Sequence, residues 1–164
     1  MQTKDISKRE LFGSLASKFG GKKEEQRSVR PPYFADENDF YKECLECDGK
    51  CVTFCKEHII IISEDKTPIL DFSKSGCTYC DECALACDRD VLKLEYKSKI
   101  KARFSIDILK CLSWNQVMCF SCKDPCLDNA IKFLGMFRPE IKEDLCTNCG
   151  FCVKVCPSDA ISWK

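Results

Sequence analysis

The sequence has a single histidine, His58, in 164 residues. That leaves little scope for imidazole acid–base chemistry or a histidine-rich metal site. There is no Ser/His/Asp constellation, no phosphate-binding glycine loop and no dinucleotide glycine motif, so no catalytic role is expected. Net charge is absent too, with 26 Lys and Arg against 26 Asp and Glu, and nothing in that balance argues for a nucleic-acid partner. The longest apolar stretch, Ile59–Ile62, is far shorter than the roughly 20 residues a membrane span needs. The first 30 residues carry charges throughout, with Gly13, Gly20 and Gly21 among them, and lack the apolar run of a secretory leader. The expectation is a cytoplasmic protein without a membrane span.

Conventional core material is also scarce. Cysteine supplies 16 of the 164 residues, and without it the hydrophobic share falls from 45% to about 35%, which is thin for a self-sufficient core. Cysteine at about one residue in ten means disulfides or metal. Disulfides are rare in a reducing compartment, so the sulfurs are expected to bind a metal group that helps hold the fold.

The cysteines fall into four groups of four: Cys44, Cys47, Cys51 and Cys55; Cys77, Cys80, Cys83 and Cys87; Cys111, Cys119, Cys122 and Cys126; Cys146, Cys149, Cys152 and Cys156. Two apolar residues lie four and five positions beyond each last cysteine: Ile59-Ile60, Val91-Leu92, Ala130-Ile131 and Ala160-Ile161. Phe72, Ile106 and Ile141 each stand five positions before the first cysteine of the later groups. The repeat predicts a unit of strand, cysteine loop, one helical turn and strand.

The second and fourth groups read C-x2-C-x2-C-x3-C, the latter followed by Pro157, which is the bacterial-ferredoxin run for [4Fe–4S] ligation. Three closely spaced thiolates wrap one cubane, and the fourth cysteine reaches the other cluster of a pair. The expected ligand sets are Cys44, Cys47, Cys51 with Cys87; Cys77, Cys80, Cys83 with Cys55; Cys111, Cys119, Cys122 with Cys156; and Cys146, Cys149, Cys152 with Cys126. In the first group one gap is a residue longer, and Gly49 within it can absorb the excess with positive φ. The third group opens with a seven-residue gap holding Ser113, Trp114 and Asn115, so its geometry is the least fixed. Three or four [4Fe–4S] clusters are expected. Zinc is the rival, but structural zinc sites pair two knuckles across longer loops, and here four cysteines crowd together. The fold class is α+β: two tandem ferredoxin-like modules, residues 37–103 and 104–164, behind an arm over 1–36.

In that arm, Ser7 and Glu10 form a capping box, and Leu11, Phe12, Leu15 and Phe19 recur at helical spacing. This predicts a short amphipathic helix over 8–19, packed on the body or docked on a partner. Arg30-Pro31-Pro32-Tyr33-Phe34 is expected to be extended. The first 30 residues carry a net charge of +4 and the remainder −4. Clusters would make the body more acidic still, a bipolarity suited to transient docking. The alternation over Lys97–Phe104 predicts a strand, with a solvated basic face or an anionic-partner contact. Tyr79, Phe120 and Phe151, between the cysteines, are read as packing or as shields against water.

Further features lie outside the cysteines. Ser7-Lys8-Arg9, Val29-Arg30-Pro31-Pro32-Tyr33, Asp36-Glu37 with Phe40, the long gap from Cys111 to Cys119, and Phe137-Arg138-Pro139 together resemble the ferredoxin-type proteins of the periplasmic nitrate reductase system, the NapF family. The likeness runs over nearly the whole chain. It departs in the extra residue between Cys47 and Cys51 and in Lys8, where an Arg is common. The resemblance implies a cytoplasmic accessory protein that binds the unexported catalytic molybdenum subunit of nitrate reductase and assists its iron–sulfur maturation. An electron-carrying polyferredoxin is the alternative.

Overall fold

A computed structural model describes residues 28–164; the helix expected over 8–19 lies outside them. The elements are short and mixed: α1 (Asn38–Glu43), α2 (Lys50–Thr53), β1 (Ile60–Ile62), β2 (Pro68–Leu70), α3 (Glu82–Leu85), a 3-10 turn (Leu94–Tyr96), β3 (Phe104–Ile106), β4 (Ile131–Leu134), β5 (Phe137–Ile141), α4 (Phe151–Lys154) and β6 (Ile161–Trp163). The strands make three antiparallel pairs, β1 with β2, β3 with β6, and β4 with β5.

The apolar pair after each cysteine group explains where the chain is pinned. All eight of these residues are buried, and at three of the four pairs the second residue opens β1, β4 or β6. Antiparallel pairing of Ile106 with Ile161, and of Phe104 with Trp163, ties the entry of the third unit to the exit of the fourth. The cysteine loops between these strands are thereby folded back on one another.

In the first half the equivalent tie is not a ladder. The Val29, Pro32 and Tyr33 carbonyls accept from Leu70 N (2.7 Å), Ser98 N (2.9 Å) and Lys93 N (2.8 Å). Pro31 and Pro32 have no N–H to return, so Val91-Leu92 is buried without becoming a strand. Residues 29–34 are all buried.

Three other expectations are corrected. Residues 38–43 ahead of the first cysteine group form α1 rather than a strand; Asp36 Oδ1 accepts the Asn38 amide (2.9 Å) and turns the chain into it. The third group has only turns where the other three have a helical turn: Pro125 stands where Phe54 and Ala86 donate their amides to Lys50 O and Glu82 O to close the turn in the first and second groups, and proline has no N–H to give. Over Lys97–Phe104 the strand begins only at Phe104. Its alternation is real in burial, with Ile100 and Phe104 inside and the basic residues outside. The backbone there is met by side chains: Ile100 N donates to Tyr79 Oη (3.1 Å), and Asn148 Nδ2 donates to Ile100 O (2.8 Å).

One apolar cluster runs through both halves. Phe72, 0% exposed, is edge-on to Phe104 at 5.2 Å and to Trp163 at 5.7 Å between ring centroids. This aromatic triad joins the second cysteine unit to the β3–β6 pair.

Candidate iron–sulfur sites

The first, second and fourth cysteine groups each supply a loop that turns through left-handed backbone before a one-turn helix. Gly49 (φ 68°), Asp81 (φ 68°) and Gly150 (φ 84°) stand immediately before α2, α3 and α4. Gly49 thus takes the positive φ expected of it. Tyr79 and Asn148 take φ of 55° and 60° at matching places in the second and fourth loops. Three residues beyond each last cysteine, His58, Asp90, Asn129 and Asp159 repeat the left-handed conformation. His58 is exposed and serves as this turn.

The result is four cavities, each lined by four cysteines. The first is lined by Cys44, Cys47, Cys51 and Cys87. The second has Cys77, Cys80, Cys83 and Cys55, the third Cys111, Cys119, Cys122 and Cys156, and the fourth Cys146, Cys149, Cys152 and Cys126. Every cavity takes three sulfurs from one group and the last cysteine of its neighbour. All sixteen thiols are free. Apolar residues complete the linings: Val91 and Leu92 in the first, Ile59 and Leu70 in the second, Leu112 and Pro157 in the third, Ile131 and Phe151 in the fourth.

Burial is the main force on these thiols. It pushes Cys51 up to about 12, reinforced by the charges of Cys87, Cys44 and Cys47. In the third site burial lifts Cys122 to about 11, aided by Cys111, Cys156 and Cys119. Cys152 rises to about 12 through burial and then its neighbours Cys149 and Cys146. Thiolates crowded in such cavities need a cationic partner.

Backbone amides already point at several sulfurs. Ala130 N donates to Cys126 Sγ and Ala160 N to Cys156 Sγ, each at 3.2 Å. Leu92 N donates to Cys87 Sγ and Tyr79 N to Cys77 Sγ, each at 3.4 Å. Such bonds spread the negative charge of a ligating sulfur. Among the described residues no trio of His, Cys, Asp or Glu side chains closes on a single metal ion. Four sulfurs around an apolar cavity fit a polynuclear iron–sulfur group.

Successive sites adjoin. Cys51 of the first lies within electrostatic reach of Cys83 of the second. Cys77 of the second donates its amide to Cys149 O of the fourth at 2.6 Å. Cys152 of the fourth feels Cys122 of the third. The neighbours therefore run first, second, fourth, third. Tyr79 bridges the middle junction, its hydroxyl donating to Thr147 O at 2.6 Å, while Phe120 packs on Phe133 at 4.9 Å. The left-handed Asp81 and Asn148, the sulfur-directed amides and the buried Arg30 escaped the sequence reading. The one visible signal was an Asx or Gly recurring beside the cysteines.

Residues 139–162 match the family model for a 4Fe-4S binding domain. The chain is 31% identical over 138 residues to the ferredoxin-type protein NapF of Escherichia coli, covering 82% of this chain and 83% of that one. It is 28% identical to NapF of Haemophilus influenzae over 92% of this chain and 87% of that one. It is 30% identical to the methylamine utilization ferredoxin-type protein MauM of Methylorubrum extorquens, over 82% of this chain and 70% of that one. The chain is a [4Fe–4S] protein that belongs to the NapF family of ferredoxin-type proteins.

Proposed function

We propose that this chain is a cytoplasmic accessory protein that assists iron–sulfur maturation of the catalytic molybdenum subunit of periplasmic nitrate reductase before that subunit is exported. In this reading the body is two tandem ferredoxin-like modules, residues 37–103 and 104–164. They hold four [4Fe–4S] clusters on the ligand sets Cys44/47/51/87, Cys77/80/83/55, Cys111/119/122/156 and Cys146/149/152/126. The observation that carries it is the crossed composition of the four cavities, three cysteines from one group and one from the next. Bound there, such clusters supply one-electron exchange. The cluster that the partner subunit receives is the substrate of the accessory role. Family membership supplies the nitrate reductase context, and a sequence whose first 30 residues are net basic and whose remainder is net acidic suits transient docking on an apoprotein.

The test is anaerobic purification from the native host, with iron and acid-labile sulfide counted and co-purifying proteins identified. Sixteen irons per chain with the unexported catalytic subunit attached is the expected result. A partner subunit that keeps its own cluster when this protein is deleted, with no co-isolation, ends the maturation reading. The continuous order of the four sites favours one alternative, an electron-transfer polyferredoxin. That alternative predicts clusters stable in air for hours and four reversible waves in voltammetry.

A further inference from the structure

Arg30 is 3% exposed, and its guanidinium cannot shed its charge. A buried charge must be compensated. Its hydrogen bonds go mainly to neutral groups: Nη1 donates to Thr67 Oγ1 (2.6 Å) and Pro68 O (2.9 Å), and Nη2 donates to Tyr41 Oη (2.9 Å). The guanidinium carbon lies 5.0 Å from the Phe40 ring centroid and 5.3 Å from that of Tyr41. Its carboxylate partner, Glu37, is 3.4 Å from Nε with a side chain 57% exposed, so water weakens that pairing and it offsets the Arg30 charge only in part.

What lies beyond these groups is the first sulfur site. Pro68, whose carbonyl holds Arg30, lines that cavity with Cys44, Cys47, Cys51 and Cys87. Phe40 and Tyr41 belong to α1, which runs directly into Cys44. The Arg30 charge lies within electrostatic reach of Cys44.

We propose that Arg30 is a positioning residue for charge at the first site: its buried cation stabilises the reduced state of the group held by Cys44, Cys47, Cys51 and Cys87 and sets that site's potential apart from the other three. The proposal rests on the reading that these four cysteines hold a cluster. One-electron reduction adds one negative charge to the site and leaves every bond to sulfur intact. A fixed positive charge behind a proline and one helix favours that added charge, in a medium that screens it less than water does. Pro31 and Pro32, next along the chain, line the second cavity, but no group that accepts from this guanidinium lines the second, third or fourth.

The experiment is an anaerobic redox titration of the full-length, loaded protein, followed by electron paramagnetic resonance. Cys47→Ser identifies the first-site signal by removing or altering it alone. Arg30→Gln is expected to shift that signal's midpoint in the negative direction by at least a tenfold change in the reduction equilibrium, 59 mV for one electron. The other signals stay in place, and Arg30→Lys stays closer to wild type. An Arg30→Gln protein that loads fully and keeps its first-site potential overturns the proposal, as does an equal shift of every signal. If Arg30→Gln fails to load, Glu37→Gln decides. Removing that surface carboxylate strips the screening from Arg30 and moves the first-site midpoint in the positive direction, and no movement overturns the proposal. Should Cys47→Ser change neither the iron count nor any signal, the first site holds no cluster, and the underlying reading falls with the proposal.

Discussion

Gly150 precedes α4 with a left-handed φ of 84°, and a methyl group there would fall inside the contact radius of the Phe72 ring, against Cδ1, Cγ and Cε1. Phe72 cannot swing away, because it is fully buried between Phe104 and Trp163. Gly150→Ala therefore meets two costs. A β-carbon in left-handed backbone costs about 1–2 kcal/mol, and overpacking a tight core costs about 1–3 kcal/mol more. The expected loss is about 2–5 kcal/mol, a large part of the 5–15 kcal/mol, roughly, that holds a typical domain together. Gly135 provides the control. It also has positive φ, 69°, but a methyl there meets nothing within 4 Å, so Gly135→Ala should cost only the first term. Both variants are compared with wild type in anaerobic urea unfolding, followed by far-UV circular dichroism at matched iron content. If Gly150→Ala loses no more stability than Gly135→Ala, the aromatic triad is not a tight joint between the halves.

Exchanging crossed ligands tests the cavities directly: Cys87→Ser should deplete the first site and spare the second, and Cys55→Ser the reverse, read from iron and sulfide counts and the electron paramagnetic resonance spectrum. Tyr79→Phe leaves the Thr147 carbonyl and the buried Ile100 amide without their partner and should cost about 1–3 kcal/mol of stability by urea unfolding. Lys50 pairs with Asp88 at 2.8 Å and Lys56 with Glu82 at 2.7 Å, both exposed; Lys50→Ala and Lys56→Ala should leave the unfolding midpoint unchanged, because water screens such pairs. Among the described residues Ser113 Oγ is buried without a hydrogen-bond partner, so Ser113→Ala should be neutral or raise the midpoint, and a clear loss would show that the hydroxyl serves a group bound nearby.

The sequence exposed the parts of this fold that depend on spacing. Crossed cysteine sets follow from how three near neighbours and one distant sulfur share a cubane. The apolar pairs after each group were visible because a two-residue hydrophobic step recurs at a fixed offset from the last cysteine. Gly49 was read as absorbing the extra residue of its loop, but Asp81 and Gly150 take the same left-handed turn in loops that have none, so that turn belongs to the helix start and not to the insertion. What escaped depends on contacts between distant segments. Arg30 looked like part of a basic N-terminal stretch, yet Thr67 and Pro68, far along the chain, bury it. The period of two over residues 97–104 correctly marked an inside and an outside, but pattern alone does not reveal whether a strand or the side chains of Tyr79 and Asn148 will satisfy the backbone. Left-handed Tyr79 gave no warning, since bulky residues seldom adopt that conformation; here hydrogen bonds to and from its hydroxyl and from its amide hold it.

The sulfur sites and the thin core solve each other's problem. Apolar linings push the buried thiols up, Cys51 and Cys152 to about 12, so near neutral pH these sulfurs on their own favour the protonated form. Four thiolates gathered in one such cavity repel one another and lack solvation, and only a cationic iron core reverses that balance. Ligation must therefore expel protons and bind metal together. Because each cavity joins cysteines from two groups, as with Cys44 and Cys87, the same bonds close long loops that the modest apolar cluster would hold weakly. Loops bent through left-handed residues at Tyr79, Asp81 and Asn148 are costly to order without that reward. Ligation free energy in this chain is thus also folding free energy, and a cluster surrendered to another protein would release the loops that held it.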